Sequence, residues 1–171
     1  MMDSSKLPIR HFINSYRFLS NFYEKELFYL ENGKFKSAEH AYQSTKARHF
    51  HDFEMIKMAE TPEKAKCLGK KVELRKDWPF IRTQVMLNII RRKFKDKDLR
   101  EQLLNTGDAD LIEGNKWHDN FWGVCLCHAC RNLYPGPQNN LGKILMLVRD
   151  EAREEEEWLK DAEPDATGFP H

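Results

Sequence analysis

The sequence predicts a predominantly helical α+β fold, a single compact domain with a few short strands. Three observations lead there. Apolar residues recur at helical spacing in separate stretches, capping residues bracket most of those stretches, and one Asn-Gly pair stands between short apolar runs. At 171 residues the chain suits one domain around one core. With 40% hydrophobic and 32% charged residues, 8 Gly and 7 Pro, it is neither collagen-like nor low-complexity. Eleven Phe, five Tyr and four Trp argue against wholesale disorder.

The elements follow in order. Leu27 to Leu30 is a short apolar run, followed by Glu31-Asn32-Gly33-Lys34. Asn-Gly between apolar segments predicts a β-hairpin over Phe28 to Lys36. Ser37 is then suited to cap a helix reading AEHAYQSTKARHF. Thr61-Pro62-Glu63 starts another helix and Gly69 stops it, because Pro fits the first turn and Gly the C-terminal cap. Asp77 and Pro79 open a longer helix to about Phe94. Its residues Ile81, Val85 and Ile89, beside Met86, Ile90 and Phe94, predict burial. Leu99, Leu103 and Leu104 mark a short helix closed near Gly107, and residues 108–138 are loop-rich. A last helix begins near Asn139 or Asn140. Leu141, Ile144, Leu145, Val148 and Ala152 form its apolar stripe, and beyond Glu154 it is a polar extension. The domain is expected to span 1–159, with 160–171 a disordered tail.

No apolar run approaches the roughly 18 residues of a membrane helix. The start MMDSSKLPIRHF lacks the apolar core of a secretory signal. Both predict an intracellular, cytoplasmic protein with no membrane partner. Net charge is only +1, but its distribution is uneven. Residues 150–165 hold nine acids against two bases, which leaves 26 bases against 18 acids in residues 1–149. A basic body suits an anionic ligand such as a nucleotide; the alternative is a Glu-rich helix end that is simply solvated. Four cysteines without an export signal predict reduced thiols. Cys125, Cys127, His128 and Cys130 crowd into CLCHAC, and Cys127 and Cys130 have zinc-knuckle spacing. No second pair of ligands completes a closed site by the usual spacing, so no bound metal is expected.

Three segments could carry chemistry. Glu39, Gln43 and Lys46 fall at i, i+4 and i+7, one stripe within about a 60° arc of a helix. A carboxylate, an amide and an amine in a column can grip a polar ligand or act as acid, orienting group and nucleophile. An exposed polar stripe has the same pattern. In Glu113 to Gly123, acids and imidazole stand among Trp117, Phe121 and Trp122, which can stack on a base. Asp119 could be a general base or brace a cationic transition state; equally, it could cap a turn while Phe121 and Trp122 fill the core. Arg75-Lys76-Asp77-Trp78 could hold phosphate while Trp78 stacks, or flank a helix with a packed indole.

Taken in order, several short motifs resemble those of the NADAR (YbiA-like) domain family. They are Phe18-Leu19-Ser20-Asn21-Phe22, Ser37-Ala38-Glu39-His40-Ala41-Tyr42-Gln43 with Lys46, Ala65-Lys66-Cys67-Leu68-Gly69, and Arg75-Lys76-Asp77-Trp78. Lys93-Phe94, Leu104-Asn105-Thr106-Gly107, Asp119-Asn120-Phe121-Trp122-Gly123 and Asn140-Leu141-Gly142-Lys143-Ile144-Leu145-Met146 complete the series. The resemblance runs from about Phe18 to Arg149. CLCHAC and the Pro135-Gly136-Pro137 loop depart from it, where the family varies. The resemblance implies an N-glycosidase, a hydrolase of N-glycosyl bonds at C1″ of a phosphorylated ribose, needing no cofactor and no metal. Its substrates would be ADP-ribose joined to guanine, with ADP-ribosylated DNA or RNA as partners, or a ribosylamino-pyrimidine of riboflavin biosynthesis. A non-catalytic ADP-ribose or NAD binding module is the third reading. Carried over by motif, Glu39, Lys46 and Asp119 would be catalytic. Asn21, Gln43, Arg75, Trp78, Trp122, Gly123 and Asn140 would bind substrate.

Overall fold

A computed structural model describes residues 7–30 and 33–162. After a 3₁₀ turn at Asn14–Leu19, β1 (Glu24–Leu30) and β2 (Gly33–Ser37) form an antiparallel pair, with Phe28 opposite Phe35 and Leu30 opposite Gly33. The expected hairpin is present, although Glu31 and Asn32 lie outside the described residues. Gly33 has φ +113°, open to glycine alone among ordinary residues.

Helix α1 (Ala38–Thr45) starts where Ser37 Oγ accepts the His40 N–H. It was expected to run on to Phe50 but stops at Thr45. The chain beyond is captured by a short ladder: Arg75 N–H donates to Lys46 O, Arg48 N–H donates to Glu73 O, and Ala47 bridges Leu74. A further helix, α2 (Phe50–Lys57), follows; its N-cap His49 makes no side-chain capping bond, so no cap announces it in the sequence. Helix α3 (Pro62–Gly69) is capped by Thr61 Oγ1 accepting from Lys64 N–H. Helices α4 (Trp78–Lys93) and α5 (Lys97–Leu104) end close to their expected bounds. Two short strands, β3 (Gly114–Asn115) and β4 (Val124–Cys125), pair in parallel within the loop-rich segment.

Helix α6 (Asn140–Ala162) runs into the stretch assigned to a disordered tail, of which 163–171 lie outside the described residues. Its apolar stripe packs on α4 and α5 around Met86, Ile89, Ile90 and Leu103. Its acids are not a free patch. Glu151 pairs with Arg91, and Glu155 with Arg100 and Lys95. The charge asymmetry of the sequence is thus partly cancelled within the chain and does not by itself mark a ligand surface. Among the described residues no helix is long and apolar enough to cross a membrane.

Helix α1 is the hub, packed against α2, α3, α4 and both strands of the hairpin. Every residue from Ala38 to Ser44 is buried, polar ones included. Buried polar groups need partners. Ser44 and Thr45 hydroxyls donate to the carbonyls of His40 and Ala41. His40 Nδ1 lies 2.8 Å from Ser37 Oγ and its Nε2 lies 3.2 Å from Ala59 O. Burial lowers the His40 pKa, so this imidazole is a core strut.

Candidate active site

The remaining polar residues of α1 face a cavity. Glu39 and Gln43 are 5% and 6% exposed, which rules out the exposed stripe. They help line a cavity of about 440 Å³ with Asn21, Phe22, Tyr42, Lys66, Glu113, Trp117, Asp119 and Trp122. That size fits a nucleotide fragment. Gln43 Nε2 donates to Glu39 Oε1 at 2.8 Å. Burial raises the Glu39 pKa, against the pull of Lys66, Gln43 and Lys46. Three oxygens of wall residues are buried without a partner: Asn21 Oδ1, Gln43 Oε1 and Glu113 Oε2. Such acceptors suit a ligand rich in hydroxyl and N–H donors.

Each wall residue is held by local chemistry. Asn21 O accepts the Glu39 N–H at 2.9 Å, so the Phe18–Phe22 motif closes the start of α1. Asn115 pins the loop beyond β3: its Oδ1 accepts from Trp117 and Asp119 N–H, and its Nδ2 donates to Asp119 O. Asp119 Oδ1 in turn accepts from Phe121 and Trp122 N–H, at 3.1 and 2.8 Å. Asp119 therefore caps a turn and lines the cavity at once. The N–H groups of Asn140 and Leu141 donate to Phe121 and Trp122 carbonyls, tying the loop to α6. An aromatic column runs back from the wall, with Tyr42 between Trp122 (5.3 Å) at the cavity and Trp78 (5.0 Å) behind. Burial raises the Tyr42 pKa, so its phenol stays protonated.

A family model for the NADAR domain matches residues 9–153. The chain belongs to the NADAR family. It is 38% identical over 131 residues to an N-glycosidase of Nostoc punctiforme, covering 73% of this chain and 79% of that one. A riboflavin biosynthesis protein of Vibrio vulnificus is 36% identical over 140 residues, covering 80% of this chain but only 36% of that larger protein. The N-glycosidase YbiA of Escherichia coli is 30% identical over 118 residues, 67% of this chain and 69% of YbiA. The NMR structure of E. coli YbiA superposes with a TM-score of 0.73 at 25% identity, covering all of this chain and 94% of YbiA. The helical α+β fold is thus the NADAR fold.

Of the residues that the NADAR motifs single out, Asn21, Glu39, Gln43, Asp119 and Trp122 line the cavity together. Lys46 is half-buried beside it: a Cβ placed on Gly69 would sit 2.1 Å from Gln43 Oε1 and 3.0 Å from Lys46 Cε. Burial lowers the Lys46 pKa, helped by Lys66 and Lys70 and opposed by Glu39. Trp78 is buried behind Tyr42 and does not reach the cavity. Gly123 lies under the wall, where a Cβ would meet Glu113 O at 2.1 Å. Arg75 is outside it, paired with Asp77 at 2.7 Å. Asn140 is also outside it, its Nδ2 donating to Gln138.

Several polar wall residues carry no signal in the sequence, among them Arg17, Glu63, Lys66 and Glu113. Glu113, whose pKa is pushed up to about 7 by burial and then by the charge of Asp119, is one carboxylate among many in sequence. Lys66, 5.3 Å from the Phe22 ring centroid and 5.7 Å from that of Trp117, is one base among 28. Only packing distinguishes them. A second cluster adjoins the cavity loop: His118, Cys125, Cys127 and Cys130 bring four possible metal donors together, and His128 is not among them.

Proposed function

We propose that this cavity hydrolyses an N-glycosidic bond at C1″ of a phosphorylated ribose, releasing ADP-ribose from guanine. The observation that carries the reading is the charge of the wall. Four acidic side chains, Glu39, Glu63, Glu113 and Asp119, line it beside the basic side chains of Arg17 and Lys66. A passive reader of a diphosphate has no use for four carboxylates. Cleavage of a ribosyl C–N bond builds positive charge at the anomeric carbon, which carboxylates stabilise. Phe22, Trp117 and Trp122 offer ring faces for a base.

In this reading the bond electrons leave with the guanine nitrogen, which takes a proton from Glu113, while Glu39 and Asp119 face the developing charge. The Lys46 amine, its pKa lowered by burial, adds to C1″. The opened sugar forms a Schiff base, and water then releases it and restores the amine. Lys66 is the second candidate nucleophile, favoured by its place in the cavity wall.

The test is to incubate the full chain with ADP-ribosylated guanine in DNA and RNA oligonucleotides, and separately with a ribosylamino-pyrimidine phosphate, following products by mass spectrometry. Free ADP-ribose and restored guanine are expected. Turnover of the pyrimidine alone would move the assignment to the small metabolite, and binding without turnover of either would make the domain a reader. Borohydride added during turnover should leave a sugar adduct on the Lys46 peptide, and Lys46→Arg should be inactive because guanidinium stays protonated. An adduct on Lys66 would transfer the role.

A further inference from the structure

The CLCHAC run looked unable to close a metal site because no second ligand pair follows it. The fold supplies the missing donor from elsewhere. The ring nitrogen and three sulfurs of His118, Cys125, Cys127 and Cys130 all lie within 4.8 Å of one another. His118 Nδ1 is 3.2 Å from Cys130 Sγ and 3.5 Å from Cys127 Sγ. Tetrahedral zinc, with Zn–S of about 2.3 Å and Zn–N of about 2.0–2.1 Å, spaces its donors about 3.5–3.8 Å apart.

The surrounding backbone is built to hold these donors together. Cys130 N–H donates to Cys127 O at 3.2 Å, turning the C-x-x-C segment so that both sulfurs face one point. Cys125 is set by β4, where it lies opposite Asn115 in the parallel pairing, and its N–H donates to Asn120 Oδ1 at 2.9 Å. His118 has φ +64°, an uncommon conformation for a residue with a side chain. Cys125 and Cys130 are buried, and all three cysteines are free thiols.

We propose that His118, Cys125, Cys127 and Cys130 form a closed Cys₃His site for one zinc ion. Three thiolates and a neutral imidazole around Zn²⁺ leave a net charge of −1, the thiol protons passing to solvent on binding. Four protein ligands leave no open position, so the ion is structural. It ties the β4 segment to the loop beyond β3. His118 stands between Trp117 and Asp119, both in the cavity wall. The ion therefore positions the cavity loop without touching substrate, whatever that substrate is.

The full chain, grown with zinc supplied and purified without chelator, should carry about one zinc per chain by elemental analysis. Cobalt exchanged into it should give the intense visible bands of a tetrahedral site and a thiolate-to-cobalt charge-transfer band. Only Cys67 should react with a thiol reagent until the ion is removed. Cys127→Ser and His118→Ala should each lose most of the metal, whereas His128→Ala should keep it. Wild-type chain with negligible zinc and no cobalt–thiolate band would overturn the proposal even if every variant misfolds. So would a disulfide between any two of the three clustered cysteines, or metal retained in His118→Ala and lost in His128→Ala.

Discussion

Helices α1 and α6 both pack into the core, by opposite means. Helix α6 buries Leu141, Ile144, Leu145, Val148 and Ala152 and turns its acids outward to Arg91, Lys95 and Arg100. Helix α1 buries Glu39, His40, Gln43 and Ser44 along with its alanines. Burial of apolar surface stabilises a fold, and burial of polar groups costs stability unless every group finds a partner. In α1, Ser44 and His40 have such partners, and Glu39 and Gln43 have each other and a cavity. A helix that buries polar groups around a cavity is built for chemistry, and one that buries an apolar stripe is built for the core.

This contrast predicts separable mutational effects. The largest is on stability in α6. Leu145 is fully buried, so Leu145→Ala should cost about 2–5 kcal/mol in urea unfolding. Turnover per folded molecule should stay unchanged; a matching loss of activity would join the two helices in function. Next comes α1. Glu39→Gln keeps the shape and the hydrogen bond from Gln43, so stability should hold or rise. Turnover should fall ~10²-fold or more, about 2.7 kcal/mol on the barrier. Unfolding without specific loss of rate would make Glu39 a structural residue.

The smallest effect is a pH dependence. In the proposed role of general acid, Glu113, held near pKa 7 by burial and by Asp119, works only while protonated. That form dominates below pH 7 and disappears above it. The kcat/KM of the wild-type chain should therefore carry an alkaline limb set by loss of the Glu113 proton. Glu113→Gln should be slow and lack that limb. An unchanged alkaline limb in the variant would assign it to another group.

Much of this protein was legible from local patterns. The Ser37 and Thr61 caps, the α4 and α6 stripes and the Asn-Gly hairpin are short-range signals, read within a few residues of chain. Where long-range pairing competed, local reading failed. Helix α1 ended early because the 46–48 segment pairs with 73–75, some 25 residues away. The NADAR motifs were legible as ordered short strings, but the geometry of the cavity they line was not.

By itself, the sequence determined the fold class, the caps and core stripes of its helices, and its resemblance to the NADAR family. Tertiary structure alone decided that Glu39 and Gln43 are buried and that Glu113 and Lys66 join the cavity wall. It also decided that His118, rather than His128, meets the three cysteines. The physical reason is the range of the interactions. Periodicity and capping act between residues a few positions apart, whereas burial, pKa and metal-donor geometry depend on side chains that only folding brings within a few ångströms.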